Sequence, residues 1–289
     1  DHFRQALQAI GAHKVRAFLS MLGILIGVAA VIAMLALGEG AKSSIEARLA
    51  SLGSNLLSVR PSSSRVGGVA LETGAVTRLT TKDAEVIEKL TTVNKVSPGV
   101  DGRVQAVSNS KNWNTRLEGV GIHYETIRAS KPVLGRFFTQ EELRSRTRVA
   151  LIGLTAAREL FGENNPVGEE MKINRINFQV IGVLPEKGSS GWRDQDDVII
   201  VPYTTAMYRV LGDEYLDSID VEVKSSELMD TAQQEIKDLM RQRKRINDPD
   251  KEGFDIRNMA EIQETLSSTT RTMSWLLGSL VDKSWTQVV

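Results

Sequence analysis

The chain has 289 residues, which is enough for one large domain or two modest ones. Its 36 basic and 36 acidic side chains cancel, and this balance predicts no nucleic-acid partner. There are no cysteines, so thiolate catalysis, disulfide bonds and cysteine-based zinc sites are excluded.

A long apolar run near the N-terminus indicates a membrane-spanning helix. Residues 17–37 read AFLSMLGILIGVAAVIAMLAL and contain no charged side chain. A helix of this length covers about 30 Å, which matches a bilayer core and exceeds the apolar part of a signal peptide. We therefore predict an uncleaved transmembrane helix over residues 17–38. Lys14 and Arg16 lie just before it, so the positive-inside rule predicts a cytoplasmic N-terminus and an extracytoplasmic remainder.

Patterns around and inside this span predict its neighbours. Apolar residues at helical spacing predict a cytoplasmic interfacial amphipathic helix over residues 1–16, with the first turns of one longer helix as the alternative. Small residues inside the span predict close packing against another membrane helix. These are Gly23, Gly27 and Ala30. After the span, an apolar stripe predicts a stalk helix over residues 39–53. The stripe consists of Ala41, Ile45, Leu49 and Leu52.

The stretch Leu35–Ser44, LALGEGAKSS, is close in spelling to a phosphate-binding loop. That loop requires glycine at two fixed positions before its lysine, because backbone amides must surround the phosphates. With Lys42 as the lysine, those positions are Ala36 and Ala41. We therefore interpret the stretch as the exit of the membrane helix, where motion leaves the bilayer and enters the stalk.

The rest of the chain alternates strand and helix patterns in a way that predicts an α+β domain. Residues 55–61 read as a strand, and a helix capped by Thr80 or Thr81 follows. Alternating apolar residues between 93 and 201 predict a sheet-rich region. Within it, Thr155 is expected to cap a helix that Gly162 ends, and two strands are expected to pair around a turn at Asn174–Arg175. A strand, a helix and a further strand follow in SIDVEVKS, SELMDTAQQEIKDLMRQRKRI and FDIRNM. The early and late units are therefore expected to form one subdomain, interrupted by a mainly β insertion.

No catalytic or metal-binding motif is complete. The acidic loop beginning at Asp248 has Met259 where a calcium loop needs a bidentate glutamate, and Asp194–Asp197 lacks the following glycine. His123 has no nucleophile setting beside it, so we expect a structural histidine. The loop Glu186–Asp197 contains Trp192 and Arg193, residue types favoured at interfaces. Two interpretations remain open for this loop: a partner contact, or a tryptophan folded back onto the sheet.

Several motifs in order resemble the MacB/FtsX-like permeases of ABC transporters. The first is MLGILIGVAAVIAMLALGEGAKSSIEARLASLGSNLLSVRP, which is similar to the first membrane helix and stalk of that family. LGRFFTQEE, RVALIGLTAARELFGENNPVGEEMKINRINFQVIGVLPEKG and VIIVPYTTAMYRVLG follow, and they resemble the periplasmic core domain that the family inserts between its first two membrane helices. The likeness covers residues 1 to about 280.

The resemblance implies a fold and a domain plan. The fold is an α+β extracytoplasmic domain, with a split porter-like α/β subdomain and a β-rich sabre-like insertion, on a long transmembrane-stalk helix. The porter-like subdomain is expected at 54–103 and 206–262, and the sabre-like subdomain at 104–205. Residues 263–289 are expected to be a second stalk and the start of an incomplete second membrane helix. The resemblance therefore implies a permease truncated before or within that helix.

The resemblance also implies partners. A cytoplasmic ABC ATPase subunit would hydrolyse ATP with Mg²⁺, on a separate chain or on a segment outside this sequence, so no catalytic residue and no cofactor are expected here. A second permease copy or paralogue would complete a dimer in the bacterial inner membrane, surrounded by membrane lipid. A periplasmic adaptor and a TolC-type outer-membrane duct are further expected partners.

These implications predict a permease subunit of an ABC-type export or mechanotransmission complex. One alternative is an FtsX-like signalling subunit that activates an extracytoplasmic cell-wall hydrolase. Another is a lipoprotein-releasing permease, since the substrate does not follow from the fold. A membrane-anchored extracytoplasmic enzyme is disfavoured by the missing catalytic set.

Overall fold

The structure is a computed structural model. It describes residues 55–62, 65–66, 69–70, 77–108, 111–190, 193–246, 253–259 and 261, together with positions 15, 18–19, 21–23, 25–29, 32–33, 36 and 40. The chain divides into two compact units, one of Asp1–Ala50 with Gln263–Val289 and one of Ser51–Ile262.

In the first unit, every described position between 15 and 40 is helical. Large apolar side chains at the described positions from Val15 to Ile32 are exposed, with exposed fractions between 40% and 74%. Within the described positions, no helix is both long enough and apolar enough to cross a bilayer. The predicted stalk residues Ala41, Ile45, Leu49 and Leu52 lie outside the described residues, as do positions 1–14 and 16 of the predicted interfacial helix and the segment 263–289.

The second unit contains the strands and six α-helices of the described chain. The strands are β1 (Leu56–Pro61), β2 (Arg65–Val66), β3 (Val69–Ala70), β4 (Val93–Ser108), β5 (Lys111–Val120), β6 (Leu134–Gly135), β7 (Val149–Ile152), β8 (Glu170–Ile173), β9 (Ile176–Val183), β10 (Ser189–Ser190), β11 (Arg193–Asp194), β12 (Val198–Pro202), β13 (Ser218–Val223) and β14 (Phe254–Asn258). The helices are α1 (Thr81–Ile87), α2 (Tyr124–Ile127), α3 (Gln140–Arg144), α4 (Leu154–Phe161), α5 (Tyr203–Thr205) and α6 (Met229–Lys244). A π-helix (Ala206–Leu211) follows α5, and a 3₁₀ turn (Ser226–Leu228) precedes α6.

A mixed ten-stranded sheet organises this unit. Its order is β14-β1-β13-β4-β5-β12-β7-β9-β6, and β8 pairs with β4 and β9. β12 runs parallel to β5, and β7 runs parallel to β9, whereas the other pairings are antiparallel. The strands predicted at 55–61, 218–225 and 254–259 come together at one end, where β1 lies between β13 and β14.

Alternation along the strands separates an apolar face from a polar one. On β1, Leu57 and Val59 face a first core that also contains residues of α1 and α6. Because successive side chains point to opposite faces, Ser58 and Arg60 lie on the other face. The apolar residues of the first core all come from 57–100 and 207–254.

Two further cores lie along the other half of the sheet. The second core packs α4 against β5, β7, β9 and β12, and the third core packs Phe137, Phe138 and Leu143 against strand residues such as Leu151 and Ile200. β4 contributes residues to the first and the second core, and it pairs with β5 at ten positions from Gly99↔Val120 to Ser108↔Lys111. One sheet therefore joins all three cores.

The helix starts follow from local sequence, with one correction. Thr80 precedes α1, and its backbone N–H and hydroxyl both donate to the Asp83 carboxylate, at 2.9 and 2.8 Å. The sequence predicted that Thr155 caps the helix ended by Gly162, and this was wrong. Gly153 is the N-cap of α4, and the Thr155 hydroxyl donates to Asp194 at 2.7 Å. The acceptor lies 39 residues away, so local pattern could not reveal it.

Candidate functional site

A charged cleft of about 960 Å³ lies on the polar face of the sheet. Strands β1, β13, β4, β5 and β12 contribute to it, together with Tyr124 and Arg128 at α2 and the loop after β9. Its basic side chains are Arg60, Arg103, Arg116, Arg128 and Lys187. Its acidic side chains are Asp101, Glu118, Asp194, Asp196, Asp197 and Asp220.

Arg128 and Asp220 form an ion pair that joins the segment after α2 to the sheet. The Arg128 Nε and Nη2 atoms lie 2.9 and 2.7 Å from Asp220 Oδ2, and Ser58 Oγ donates to Oδ1 at 2.8 Å. Both charged side chains are largely buried, with exposed fractions of 16% and 9%. Burial alone would lower the pKa of Arg128, but the Asp220 carboxylate outweighs it and the pKa is raised. The Arg128 guanidinium therefore stays protonated, and the contacts to Asp220 hold it in place.

Glu118 has two partners on the cleft floor, an ion pair with Arg116 and a hydrogen bond from Tyr124. Arg116 Nη2 lies 3.0 Å from Glu118 Oε1, and the Tyr124 hydroxyl donates to Oε2 at 2.9 Å. Burial raises the pKa of Tyr124 well above its usual value, and the Glu118 charge adds to this effect. The tyrosine therefore stays a neutral hydrogen-bond donor.

The floor pairs like charges across two strands. In the β4–β5 register, Asp101 lies opposite Glu118 and Arg103 lies opposite Arg116. Like charges directly opposite each other normally destabilise a sheet. Desolvation in the cleft, followed by repulsion from Glu118, raises the pKa of Asp101. The Arg116–Glu118 contact along β5 offsets part of this repulsion.

Lys187 closes the cleft at the start of the loop between β9 and β12. Its Nζ atom donates to Ser130 Oγ at 2.6 Å and to the Arg128 carbonyl at 3.3 Å. Burial lowers the pKa of Lys187. The backbone N–H groups of Lys187 and Gly188 donate to the Asp196 carboxylate at 2.8 and 2.9 Å, which holds the base of the loop.

The carboxylates of the acidic run Asp194–Asp197 accept hydrogen bonds that hold this loop in place. Asp197 Oδ1 accepts from Trp113 Nε1 at 2.8 Å and from Thr115 Oγ1 at 2.7 Å, while Asp194 accepts from Thr155. Across the described part of the chain, no group of three or more His, Asp or Glu side chains is placed to hold a metal ion. The arrangement supplies fixed donors and acceptors, which suits binding of a polar group or bracing of the loop.

None of the residues predicted from the sequence is among the described residues that line the cleft. Gly23 and Gly27 are helical and exposed, whereas Ala30 lies outside the described residues. Trp192 also lies outside them, and only the backbone of Arg193 is described, in β11 opposite Ser190. His123 stands away from the cleft lining, with Nε2 3.9 Å from Glu88 Oε1. The choice between the two interpretations of the Trp192 loop therefore stays open.

Sequence reasoning missed the cleft itself. The available signal was a charged residue at alternate positions of otherwise apolar strands, such as Asp220 in SIDVEV and Glu118 in RLEGV. Alternation of this kind marks the face of a strand that does not enter the apolar core. It does not reveal which strands become neighbours, so the charges could not be assembled into one site.

Comparisons with known proteins identify the fold and the family. Residues 17–239 match the family described as MacB-like periplasmic core domain. The macrolide export ATP-binding/permease protein MacB of Chlorobium luteolum is 57% identical over 96% of this chain and 42% of its own length. The protein of the same name from Bdellovibrio bacteriovorus is 51% identical over 97% of this chain and 43% of its own length. The chain thus spans less than half of these relatives.

A solved structure agrees with the architecture. The crystal structure of the periplasmic region of MacB from Actinobacillus actinomycetemcomitans superposes with a TM-score of 0.63 and 22% identity, covering 75% of this chain and 95% of that one. The predicted α+β fold is therefore confirmed. With the family match over most of its length and relatives above 50% identity, the chain belongs to the MacB-like periplasmic core domain family of ABC transporter permeases.

Proposed function

We propose that this chain is the permease part of a MacB-type ABC export complex, in which ATP hydrolysis drives movements of the periplasmic domain. Membership of the family carries the proposal, since the relatives at 57% and 51% identity are named macrolide export ATP-binding/permease proteins. Macrolides are accordingly the first substrates to test. Efflux or release of a periplasmic substrate is the expected outcome of the movement.

The continuous sheet supports a mechanical role for the domain. β4 runs from the first core into the second, and its ladder with β5 has no register shift between Gly99 and Ser108. Close-packed interiors deform little, so a displacement at one end of the sheet is passed to the other. The three cores also support the predicted division into a porter-like part (54–103 and 206–262) and a sabre-like part (104–205), which we retain as a proposal. The second-core residue Ala206 stands at their boundary.

ATP and Mg²⁺ belong to the ATPase in this proposal, and the permease chain contributes no catalytic residue. The relatives combine ATP binding and permease in one name, and this chain matches 42% of the first. The ATPase is therefore proposed either on the same polypeptide or, as the sequence predicted, on a partner subunit. In both arrangements it acts on the cytoplasmic side.

The membrane topology is part of the same proposal. The exposed apolar side chains between Val15 and Ile32 support a helix with a lipid-facing surface. We propose that this helix lies in the inner membrane with a cytoplasmic N-terminus and packs in a dimer through Gly23, Gly27 and Ala30. A periplasmic adaptor and a TolC-type duct would complete the export path.

The test is export by the full-length protein that contains this chain. It would be produced with its adaptor in a macrolide-sensitive Gram-negative strain whose own pumps are deleted. Raised macrolide resistance that depends on ATP hydrolysis supports the proposal. If the protein instead releases lipoproteins or activates a cell-wall hydrolase, and macrolide resistance stays unchanged, the export proposal fails.

A further inference from the structure

An exposed arginine–tyrosine stack lies on the second unit, apart from the cleft lining. The Arg146 guanidinium carbon is 3.8 Å from the centroid of the Tyr208 ring, and Tyr208 is 52% exposed. A cation over an aromatic face is attracted by the ring quadrupole, and the stacking leaves the guanidinium N–H groups available to a ligand. Tyr208 is thus an exposed large side chain that holds a charged partner in a defined position.

Unusual backbone conformations present both residues. Tyr208 lies in the π-helix Ala206–Leu211, and Arg146 adopts a positive φ of 55°. The Thr205 hydroxyl donates to the Thr147 carbonyl at 3.0 Å, which ties the two segments together. π-Helical turns and left-handed non-glycine residues are uncommon, and both occur frequently at functional sites.

Further arginines surround this stack in sequence and are exposed with it. Within the described part of the chain, none of the four arginines has a carboxylate within 4.0 Å. We call Tyr208 and these four residues the arginine–tyrosine surface. The four arginines are Arg144, Arg146, Arg148 and Arg209. In contrast, the cleft residues Arg116 and Arg128 are both paired with carboxylates. Among the residues that the structure describes, no contact with a carboxylate neutralises the positive charge of this surface.

We propose that the arginine–tyrosine surface binds an acidic segment of a partner protein. Planar guanidinium groups match carboxylates with two parallel hydrogen bonds, and Tyr and Arg are the residue types enriched at interface hot spots. A membrane surface is the less suitable partner, because interfacial binding uses large apolar anchors and this surface exposes a single tyrosine. The inference rests on these contacts and does not depend on the proposed export function.

A second stack provides a matched control. Arg78 lies 4.6 Å from the centroid of the Tyr215 ring, and Tyr215 is 37% exposed. Its sequence neighbours Asp213 and Glu214 are acidic, so it lacks the surrounding positive charge. An acidic ligand is expected to bind the first stack and not the second.

The experiment measures binding of a fluorescein-labelled hexaglutamate peptide to the full chain in detergent, by fluorescence anisotropy. The wild-type chain should bind, and added salt should weaken binding because exposed charges are screened. The double variant Arg146→Ala/Tyr208→Ala should lose about tenfold in affinity, as expected for a hot-spot pair. The control Arg78→Ala/Tyr215→Ala should stay within about twofold of wild type by the same reasoning.

Two further measurements separate binding from folding. The double variant Arg144→Ala/Arg148→Ala removes exposed charges without touching the stack, and it should weaken peptide binding while circular dichroism stays unchanged. Tyr208→Phe keeps the ring and should retain binding. The proposal would be overturned if the wild-type chain did not bind the peptide, or if the control variant lost as much affinity as Arg146→Ala/Tyr208→Ala. It would also be overturned if Arg146→Ala/Tyr208→Ala lost affinity for phosphatidylglycerol vesicles but not for the peptide.

Discussion

At the residue scale, Asp83 illustrates how a buried charge is compensated. Its side chain is 1% exposed, and it accepts hydrogen bonds from Arg243 Nε at 2.8 Å and Lys244 Nζ at 2.6 Å. These partners lie 160 and 161 residues away in the sequence. Burial would raise the pKa of the Asp83 carboxyl, but the hydrogen bonds from Lys244 and Arg243 lower it below its usual value. One carboxylate thus holds the start of α1 against the end of α6.

Asp83→Asn should lower the free energy of unfolding by about 3 kcal/mol, since it leaves two cations beside a neutral amide in a buried site. Urea unfolding of the full chain in detergent, followed by circular dichroism, would measure the change. The control Asp238→Asn alters an exposed carboxylate 3.9 Å from Arg241, and it should cost about 0.5 kcal/mol or less. Equal losses in both variants would contradict the role assigned to Asp83.

The same carboxylate predicts a pH dependence. A lowered folded-state pKa means that the stabilisation is complete above the unfolded pKa of about 3.9 and is lost as pH falls through the folded value. The difference in unfolding free energy between wild type and Asp83→Asn should therefore be constant between about pH 5 and 7 and shrink below about pH 4. Unfolding curves over this range would test it. A difference that grows on acidification would have the wrong sign.

At the element scale, β5 lies very close to the helical turn that follows β12. Residues of this turn belong to the first and the second core, so the contact links the two. A Cβ at Gly119 would collide with the Ala206 Cβ and lie 3.0 Å from the Tyr203 Cα. Ala206 belongs to the second core and Met207 to the first. Glycine is therefore needed at this position for the sheet and the turn to pack.

Gly119→Ala should destabilise the domain by about 1–3 kcal/mol through overpacking. Thermal unfolding would show a lower Tm than wild type. The compensating variant Gly119→Ala/Ala206→Gly should recover part of the loss, because it removes the colliding methyl group. Strict additivity of the two single changes in this double-mutant cycle would argue against a direct contact.

At the scale of the whole molecule, association of two copies through their membrane helices is expected to depend on the small residues of the first unit. Gly23 and Gly27 are exposed on helical backbone, and a Cβ at either meets no atom within 4 Å among the described residues. Substitution there is not expected to disturb the fold of the chain itself. The effect should appear where another helix approaches.

Gly27→Leu should weaken helix packing in the membrane, because close approach of two helices requires small side chains. The measurement is dimer formation of the full-length protein in lipid, by cross-linking or by energy transfer between labelled copies. Ile26→Leu, on a neighbouring exposed position, is the matched control and should leave dimer formation unchanged. Unaltered dimerisation in Gly27→Leu would contradict the predicted interface.

Local patterns in the sequence were sufficient for the elements and the family. Strands at 56–61, 218–223 and 254–258, the helix at 229–244 and the turn at Asn174–Arg175 all lie where periodicity and turn residues predict them. These features depend on residues that are a few positions apart, so short-range sequence patterns are enough to predict them. The ordered motifs were likewise enough to indicate the family.

Only the tertiary structure decided the charged cleft and the exposed stack. Ser58 meets Asp220 because β1 pairs with β13, and the two residues are 162 positions apart. Arg146 stacks on Tyr208 where the fold brings a loop against a π-helix, and the Thr205–Thr147 hydrogen bond ties these two segments together. Strand order and register are set by the need to bury all apolar faces at the same time. This requirement involves the whole chain, so no short stretch of sequence is enough to predict its outcome.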